Sequence, residues 1–171
     1  LEIKTMTRDL ERQARKMGFT HWQEAYESVP LPKAGGKGLI GLYREQVEDL
    51  GRLCRSAGLV VEQVFHKNPV KVMPVPEYLS TIRAASAYSI LPGHPPCGGV
   101  FYVFNAHDPA EARKGYHREF RILSAHETWP GHHLLDISRW SLASPVLRPV
   151  EMPLFYEGWA CFAEQILWLT R

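Results

Sequence analysis

Hydrophobic residues recur every three or four positions in three long stretches of this chain, and this spacing is typical of helices that bury one face. The first stretch covers residues 1–17 and is closed by Gly18, and the second covers residues 38–57 and is closed by Gly58. The last stretch begins near Pro153 and reads LFYEGWACFAEQILWL. Its apolar residues fall almost all the way round the helix, which predicts a buried C-terminal helix.

The middle third of the chain has a different pattern, in which short runs of β-branched and aromatic residues are separated by Pro and Gly. The runs are VKVMPV, ASAYSI and GGVFYVFN. Pro74 and Pro76 confine the first run to the edge of a sheet or to an irregular strand. The third run is the strongest strand, and it leads into a helix that we predict from Asp108 to about Trp129. We therefore expect a helix-dominated α+β fold with a small sheet beside this helix.

Composition narrows the classes of function. Hydrophobic residues make up 45% and charged residues 22% of the chain, as in ordinary soluble globular proteins. The 20 basic residues nearly match the 18 acidic ones, which argues against a nucleic-acid-binding surface. No apolar stretch approaches the roughly 20 residues that span a bilayer. Three scattered cysteines are too few for a disulfide framework, and Cys54 and Cys161 fall in apolar helical patterns that predict a place in the core.

The ends of the sequence bear on its organisation. The chain starts at Leu1 rather than at Met, and it ends with LWLTR in the middle of an apolar helical pattern. A length of 171 residues fits one domain. We therefore expect a single domain that is a piece of a longer protein. Residues 1–37 would form a helical lead-in, and residues 38–171 would carry the candidate chemistry.

The candidate chemistry lies in HETWPGHH, residues 126–133. In an HExxH helix two histidines one turn apart bind a catalytic zinc, and the Glu that follows the first histidine activates a water. Glu127 stands in that relation to His126, but Pro130 occupies the position of the second histidine. Pro130 and Gly131 predict a kink, bulge or break in the helix. The competing interpretation is a capping cluster at a helix break that binds no metal.

Two neighbouring histidines are candidates for the second ligand. On an unbroken helix His132 would lie about 240° round from His126, whereas His133 would return to the same face about 10.5 Å further along the axis. If two residues loop out at the break, His132 takes the place of the second histidine of HExxH. The residues by themselves leave His132 and His133 both open.

A third ligand is available in the last helix. Glu157 lies among aromatic residues in LFYEGWACF, and a carboxylate in such surroundings is costly to bury unless it is paired or binds a metal. Gly158 beside it would allow another backbone to approach closely. The competing interpretation is a salt bridge from Glu157 to Arg121 or Arg139.

Two motifs together resemble a known family. HETWPGHHLL, followed twenty-five residues after His132 by EGWACFAE, is similar to the paired signature of the bacterial family called domain of unknown function 885. That family carries HEAxPGHHLQ-like and EGWALYAE-like segments in this order. The segments PVPEYLSTIRAASAY and GGVFYVFN also resemble the sequence that precedes its His-Glu helix. The resemblance covers roughly residues 38–171, and members several times longer than this chain imply that it is a C-terminal portion.

The resemblance implies a zincin-like zinc metallohydrolase. One zinc ion would be bound by His126, by a histidine of the GHH segment and by Glu157, with Glu127 as the general base. Related zincin families, such as the thimet oligopeptidase and Taq carboxypeptidase groups and dipeptidyl peptidase III, place Gly directly before the second ligand histidine. The dipeptide Gly131-His132 matches that arrangement, which favours His132 as the ligand.

The same resemblance implies hydrolysis of a peptide, or of another small amide or ester substrate. Zinc would polarise the scissile carbonyl, and Glu127 would move a proton from the attacking water to the leaving amine. Tyr156 is the favoured second electrophile because it precedes Glu157, although core packing is its competing role. The strand GGVFYVFN is a candidate edge for pairing with an extended peptide. The other candidate electrophiles are Tyr102, Tyr116 and His133.

A rival hypothesis comes from another class of protein, namely a non-catalytic helical domain that binds a peptide or a partner protein. Zinc content distinguishes the two, because only the first hypothesis requires a metal. Members of the family are usually described as peptidases or lipoproteins. The resemblance is therefore compatible with the bacterial cytoplasm and with the periplasm, and it predicts no oligomeric state.

Overall fold

The structure is a computed structural model, and it describes residues 2–33, 35–80, 86–104, 117–148 and 152–169. It contains two compact units, Leu1–Lys33 and Ala34–Arg171. The division between them falls close to the end of the lead-in that the sequence predicts. All described residues with candidate chemistry belong to the second unit.

The first unit contains two helices, α1 (Glu2–Lys16) and α2 (Trp22–Ser28). Helix α1 confirms the first predicted helix, and Gly18 follows it with a φ of 87°, a conformation that glycine adopts without strain. Ala14 and Ala25 are buried in this unit. Ile3 and Met6, which belong to the predicted apolar stripe, are exposed.

The second unit combines six helices with three strands in its described residues. The helices are α3 (Gly38–Ser56), α4 (Glu62–Lys67), α5 (Glu77–Ser80), α6 (Phe120–Glu127), α7 (His132–Trp140) and α8 (Pro153–Leu169). Two 3₁₀ turns lie at Gly35–Lys37 and His117–Glu119. The strands are β1 (Val70–Pro74), β2 (Ala87–Ile90) and β3 (Gly99–Val103). This arrangement confirms the predicted helix-dominated α+β fold.

The three strands form one sheet in the order β1-β3-β2. Strand β1 runs parallel to β3 with Val72 opposite Phe101, and β2 runs antiparallel to β3 with Tyr88 opposite Phe101. Strand β1 is therefore at an edge, as its prolines predict. The prediction that GGVFYVFN offers an edge to a peptide is wrong, because this run forms β3 and both edges of β3 are paired. Among the described strands, β2 is the other one with an unpaired edge.

The core joins the sheet to α3 and to the end of α6. Helix α3 buries Tyr43, Leu50 and Cys54, and β3 buries Phe101. The rings of Tyr43 and Phe101 meet edge-on with centroids 5.6 Å apart, which is a favourable aromatic geometry. Trp129 belongs to the same cluster and is among the largest fully buried side chains. The residue just before Pro130 is thus anchored in the core.

Helix α8 is buried along one stripe only, so the prediction of a wholly buried C-terminal helix is wrong. Ala160 and Ala163 are fully buried, whereas Leu154 is 89% and Phe155 61% exposed. Helices α6 and α7 pack against one face of α8, and an apolar sequence does not by itself provide partners for the opposite face. Cys161, predicted in the core, is exposed for the same reason. No helix in the described ranges, α8 included, has the length and hydropathy needed to cross a bilayer.

Candidate metal centre

The predicted break in the His-Glu helix separates α6 from α7. Helix α6 ends at Glu127 and α7 begins at His132, so residues 128–131 form the connection. The helix ends before Trp129, where the sequence places its end, and the predicted start at Asp108 lies outside the described residues. The break at Pro130 itself is confirmed. It turns one predicted helix into two that carry the two histidines separately.

Gly131 folds this connection tightly against α6. Its N–H donates to the carbonyl of Ala125 at 2.9 Å. A Cβ on Gly131 would lie 1.9 Å from the carbonyl oxygen of His126 and 2.4 Å from that of Ala125, so only glycine fits here. From the side of α8, Trp159 donates its Nε1–H to the carbonyl of Pro130 at 2.9 Å and to that of Gly131 at 3.2 Å. Hydrogen bonds therefore hold the connection to both α6 and α8.

Three side chains converge at this point and form a His-His-Glu cluster, made of His126, His132 and Glu157. His126 Nε2 lies 3.4 Å from Glu157 Oε2, and His132 Nε2 lies 3.7 Å from the same oxygen. The two imidazole rings are perpendicular, with centroids 4.8 Å apart. The potential ligand atoms of all three residues lie within 4.8 Å of one another. Helices α6, α7 and α8 contribute one residue each.

The donor set and its spacing fit a zinc ion. Bonds of about 2.0–2.1 Å to nitrogen and oxygen in a tetrahedral site place the ligand atoms about 3.3–3.5 Å apart. The two separations that involve Glu157, 3.4 and 3.7 Å, agree with that requirement to within a few tenths of an ångström, and the two histidines offer ligand atoms within 4.8 Å of each other. Two histidines and one glutamate leave a fourth position for water or substrate. Since the Glu157 side chain is 60% exposed, the cluster opens to solvent on its side.

Glu157 belongs to the cluster for a reason other than the one that the sequence suggests. Its predicted burial is wrong, because it lies on the more exposed side of α8. Arg139, a predicted salt-bridge partner, pairs instead with Asp136 at 2.7 Å. Outside its own helix, no atom of the described residues lies within 4 Å of the position of a Cβ on Gly158, so the predicted close approach of a second backbone is not found among them. The ion-pair partners of Glu157 in the described part of the chain are the two histidines of the cluster.

His133 occupies a separate, fully buried environment. Its Nε2–H donates a hydrogen bond to the backbone carbonyl of Asn68 at 2.9 Å, and its Nδ1 accepts a hydrogen bond from the hydroxyl of Tyr88 at 3.0 Å. Because a carbonyl oxygen can only accept a hydrogen bond, the proton of the neutral imidazole lies on Nε2. Burial lowers the pKa of His133 to about 4. The structure therefore brings His132 rather than His133 into the cluster, and His133 links α7 to the sheet.

Glu127 lies beside the cluster and is nearly buried, with 8% of its surface exposed. Its Oε2 accepts the backbone N–H of Tyr88 at 2.8 Å. Because Tyr88 is in β2, this bond connects the end of α6 to an edge strand of the sheet. The carboxylate is also close enough for its charge to raise the pKa of His126. Its position is suited to proton transfer at the cluster.

The two histidines of the cluster differ in proton affinity. Burial lowers the pKa of His132 to about 4, and the neighbouring His126 acts in the same direction. Burial also lowers the pKa of His126, but a hydrogen bond to Glu164 and the charges of Glu127, Glu164 and Glu157 outweigh it and raise this pKa overall. His132 is therefore neutral near pH 7, and the neutral imidazole is the form that binds metals.

Tyr156 packs against the cluster through its ring. The ring stacks on that of His132 with centroids 4.0 Å apart and planes 12° from parallel. Its hydroxyl donates to Asp136 Oδ2 at 3.3 Å. Tyr102 lies on β3, and Tyr116 lies outside the described residues. Tyr156 is thus the predicted electrophile that the structure brings into contact with a cluster residue.

Glu164 is a residue of this site that sequence reasoning missed. Its Oε1 lies 2.7 Å from His126 Nδ1, the nitrogen that faces away from Glu157. The signal was present in EGWACFAE, because seven residues are about two turns and place Glu164 on the same helix face as Glu157. His126, Cys161 and Glu164 also form a second group whose potential ligand atoms lie within 4.8 Å of one another.

Two grooves border α7. The smaller has a volume of about 390 Å³, and its wall includes Tyr156 and Arg139 together with Leu135, Leu142, Leu147, Met152 and Phe155. The larger has a volume of about 650 Å³ and is lined by residues of the α3–α4 connection, of α4, of the Pro95–Cys97 loop and of α7, among them Leu134 and Ile137. The smaller groove is therefore the one that adjoins the cluster, with the ring of Tyr156 between the groove and His132.

The sequence matches, over residues 2–168, the family described as "Bacterial protein of unknown function (DUF885)". The chain belongs to this family. DUF885 is the family that HETWPGHH and EGWACFAE suggest, and the match also includes the lead-in, which the resemblance of the motifs does not cover. Membership in DUF885 places both motifs in a family context but assigns no activity to them.

The fold of this DUF885 chain is similar to "The crystal structure of the putative lipoprotein from Colwellia psychrerythraea", with a TM-score of 0.70 and 19% sequence identity. The alignment covers 98% of this chain and 29% of that chain, so this chain spans less than a third of the structure that it matches. At this identity the likeness establishes the fold alone. No curated protein matches the chain.

Proposed function

We propose that this DUF885 chain carries the zinc centre of a hydrolase that cleaves peptide bonds, with one zinc ion bound by His126, His132 and Glu157. The observation that carries the proposal is the convergence of two imidazole Nε2 atoms and one carboxylate oxygen from three helices. Their separations of 3.4 and 3.7 Å suit the coordination sphere of zinc. The resemblance of HETWPGHH to the zincin motif supports the same chemistry.

In the proposed mechanism Glu127 is the general base. A zinc ion in the cluster would supply a Lewis acid that acidifies a water molecule and polarises the scissile carbonyl. Glu127 takes a proton from the attacking water and delivers it to the leaving amine. The backbone N–H of Tyr88 holds Oε2 of this carboxylate at 2.8 Å and so fixes its orientation. Tyr156 is the proposed second electrophile, and to act it exchanges its bond to Asp136 for one to the substrate oxygen.

Strand β2 is the proposed binding edge for an extended peptide. The N–H of Leu91 donates to Gly98 on the β3 side, whereas the N–H of Tyr88 points the other way, toward Glu127. Because alternate residues of a strand face the same neighbour, the carbonyl of Tyr88 and the N–H and carbonyl of Ile90 face the unpaired edge, while the N–H of Tyr88 remains bonded to Glu127. A peptide that paired there would run beside the general base. An apolar side chain of that peptide would suit the smaller groove next to Tyr156.

A partner-binding domain without catalysis is the second candidate function. It is favoured by the exposed apolar face of α8, which includes Leu154, Phe155 and Phe162. Large apolar side chains grouped on one surface are typical of interaction sites.

A hydrolase of esters or non-peptide amides would use the same His-His-Glu cluster and would differ from the proposed peptidase only in its substrate.

Substrate cleavage by the zinc-loaded chain tests the proposal. We would offer quenched fluorescent peptides, ester probes and non-peptide amide probes to the wild type, to Glu127→Gln and to the control Glu48→Gln on the exposed face of α3. We expect peptide cleavage by the wild type and the control. Glu127→Gln should lose about 10²–10⁴-fold in turnover while its zinc content is unchanged.

Three other outcomes would each contradict a different part of the proposal. If Glu127→Gln keeps both its turnover and its zinc, the general base is wrong. Cleavage of esters in preference to peptides would replace the proposed substrate class. A wild-type chain that binds no zinc would overturn the proposal and favour the partner-binding domain.

A further inference from the structure

His126 uses both of its ring nitrogens, and each faces a different carboxylate of α8. Nε2 faces Glu157 at 3.4 Å, inside the cluster. Nδ1 faces Glu164 at 2.7 Å, on the other side of the ring. The two carboxylates are two helical turns apart, so α8 holds the imidazole from both sides. The second contact has the length of a strong charge-assisted hydrogen bond.

The two separations distinguish a shared metal from a direct hydrogen bond. Ligand atoms on one tetrahedral zinc lie about 3.3–3.5 Å apart, so a pair at 2.7 Å is too close to share an ion. A distance of 2.7 Å instead requires a proton between Nδ1 and Oε1. The second group of potential ligands, which contains Cys161 and Glu164 with His126, therefore does not fit a metal in this geometry. Glu164 acts on the ring and not on an ion.

A proton on Nδ1 determines what Nε2 can do. In a neutral imidazole only one nitrogen carries hydrogen, so an Nδ1–H that donates to Glu164 leaves the Nε2 lone pair directed at the cluster. Such a carboxylate partner fixes the tautomer and the ring orientation of a metal-binding histidine and makes the ligand more basic. His132 differs in this respect, because its Nδ1 is buried and has no hydrogen-bond partner within the described residues. The orienting contact belongs to His126 alone of the two.

We propose that Glu164 is a positioning residue that holds His126 with its proton on Nδ1 and its Nε2 ready to bind the zinc ion. The zinc part of this statement rests on the proposed function, whereas the hydrogen bond and the tautomer do not. Glu164 reaches the reaction only through His126. Its side chain remains about one-third exposed, so a substitution there leaves the core intact.

The first test is the tautomer of His126 in the metal-free chain. Long-range ¹H–¹⁵N NMR at a pH where His126 is neutral distinguishes Nδ1–H from Nε2–H. We expect Nδ1–H in the wild type and in Glu164→Gln, whose amide oxygen still accepts the hydrogen bond. Glu164→Ala should lose this preference. A wild type with its proton on Nε2, or an unchanged tautomer in Glu164→Ala, would overturn the proposal.

The second test is zinc affinity, measured by competition with a chromogenic chelator. We expect Glu164→Ala to bind zinc about 10–100-fold more weakly than the wild type, with Glu164→Gln between them. Gln165→Ala, next in the chain and exposed, is the matched control and should bind as the wild type does. Cys161→Ala should also bind normally. An equal loss in Cys161→Ala and Glu164→Ala would show that both are ligands and would contradict a positioning role.

The two tests separate this proposal from the function on which it partly rests. If the wild type binds no zinc, the proposed hydrolase is wrong. The tautomer measurement then still decides whether Glu164 orients His126, because it needs no metal. If the wild type binds zinc and Glu164→Ala binds it equally well, the zinc centre stands and the positioning role is wrong.

Discussion

Gly131→Ala places a methyl group where the structure has no space, and we expect it to disrupt the cluster. The new Cβ would lie 1.9 Å from the carbonyl oxygen of His126 and 2.4 Å from that of Ala125. Cβ atoms essentially never come closer than 3.0 Å, so the connection must move away from α6 by about 1 Å. Both carbonyls belong to a helix that packs on α3 and α8, so the connection is the part that yields. His132 follows Gly131 directly and moves with it.

The expected magnitude has two parts. Overpacking of this kind costs about 1–3 kcal/mol. Loss of the hydrogen bond from Gly131 to the carbonyl of Ala125 adds about 1–3 kcal/mol, because it leaves a buried polar group unpaired. We therefore expect the free energy of unfolding to fall by about 2–6 kcal/mol. Zinc affinity should fall at least about tenfold, since the His132 ligand is displaced.

Urea denaturation followed by tryptophan fluorescence measures the first effect, because Trp129 is buried in the core beside the connection. Chelator competition measures the second. Gly158→Ala is the matched control, since it makes the same change next to Glu157 in open space. It should leave zinc affinity unchanged and raise stability by up to about 1 kcal/mol, as alanine favours a helix over glycine. The reasoning is refuted if Gly131→Ala retains wild-type stability and zinc affinity.

Three further predictions follow from the same geometry. Trp159→Phe keeps an aromatic side chain but removes the N–H donor to the carbonyls of Pro130 and Gly131, so thermal or urea denaturation should show a loss of about 1–3 kcal/mol. No loss would mean that water replaces the indole N–H. Tyr156→Phe should lower peptide turnover about 10²–10³-fold with zinc content unchanged, and normal turnover would restrict Tyr156 to packing on His132. The metal-free chain should lose stability as the pH falls from about 6.5 to 4. Burial lowers the pKa values of His132 and His133 to about 4 in the folded chain, so in this pH range these two histidines take up protons in the unfolded chain only. The raised pKa of His126 adds stability only while the pH falls toward about 6.5, and below that value its contribution is constant, so it does not offset this loss. Urea midpoints that do not change between pH 6.5 and 4.5 would contradict the buried, neutral state of His132 and His133.

The sequence predicts most of the elements because their signals are local. Periodic apolar residues and a closing glycine are enough to predict α1 and α3. Prolines predict both the edge position of β1 and the break between α6 and α7. The order of the strands is a tertiary property, and the local pattern of GGVFYVFN does not indicate that it forms the central strand, with no free edge. The prediction that α8 is wholly buried is wrong for a similar reason, since composition does not show which face of a helix packs against other elements.

For the candidate site, the sequence predicts residue types more reliably than environments. His126, Glu127 and Glu157 follow from the motifs, and the structure brings them into one place. The choice between His132 and His133 depends on the path of four residues around Pro130, which no periodicity describes. The aromatic neighbours of Glu157 in the sequence do not bury it, because its side chain is mostly exposed and faces the two histidines. The spacing of Glu157 and Glu164, two helical turns apart, is the sequence signal that indicates Glu164.

The zinc content of three purified chains tests the central claim most directly. Elemental analysis would compare the wild type with His132→Ala and His133→Ala, which remove neighbouring imidazoles from different environments. We predict close to one zinc ion per chain in the wild type and in folded His133→Ala, and none in His132→Ala. Absence of zinc from the wild type, or its retention in His132→Ala together with its loss from His133→Ala, would contradict the proposed centre.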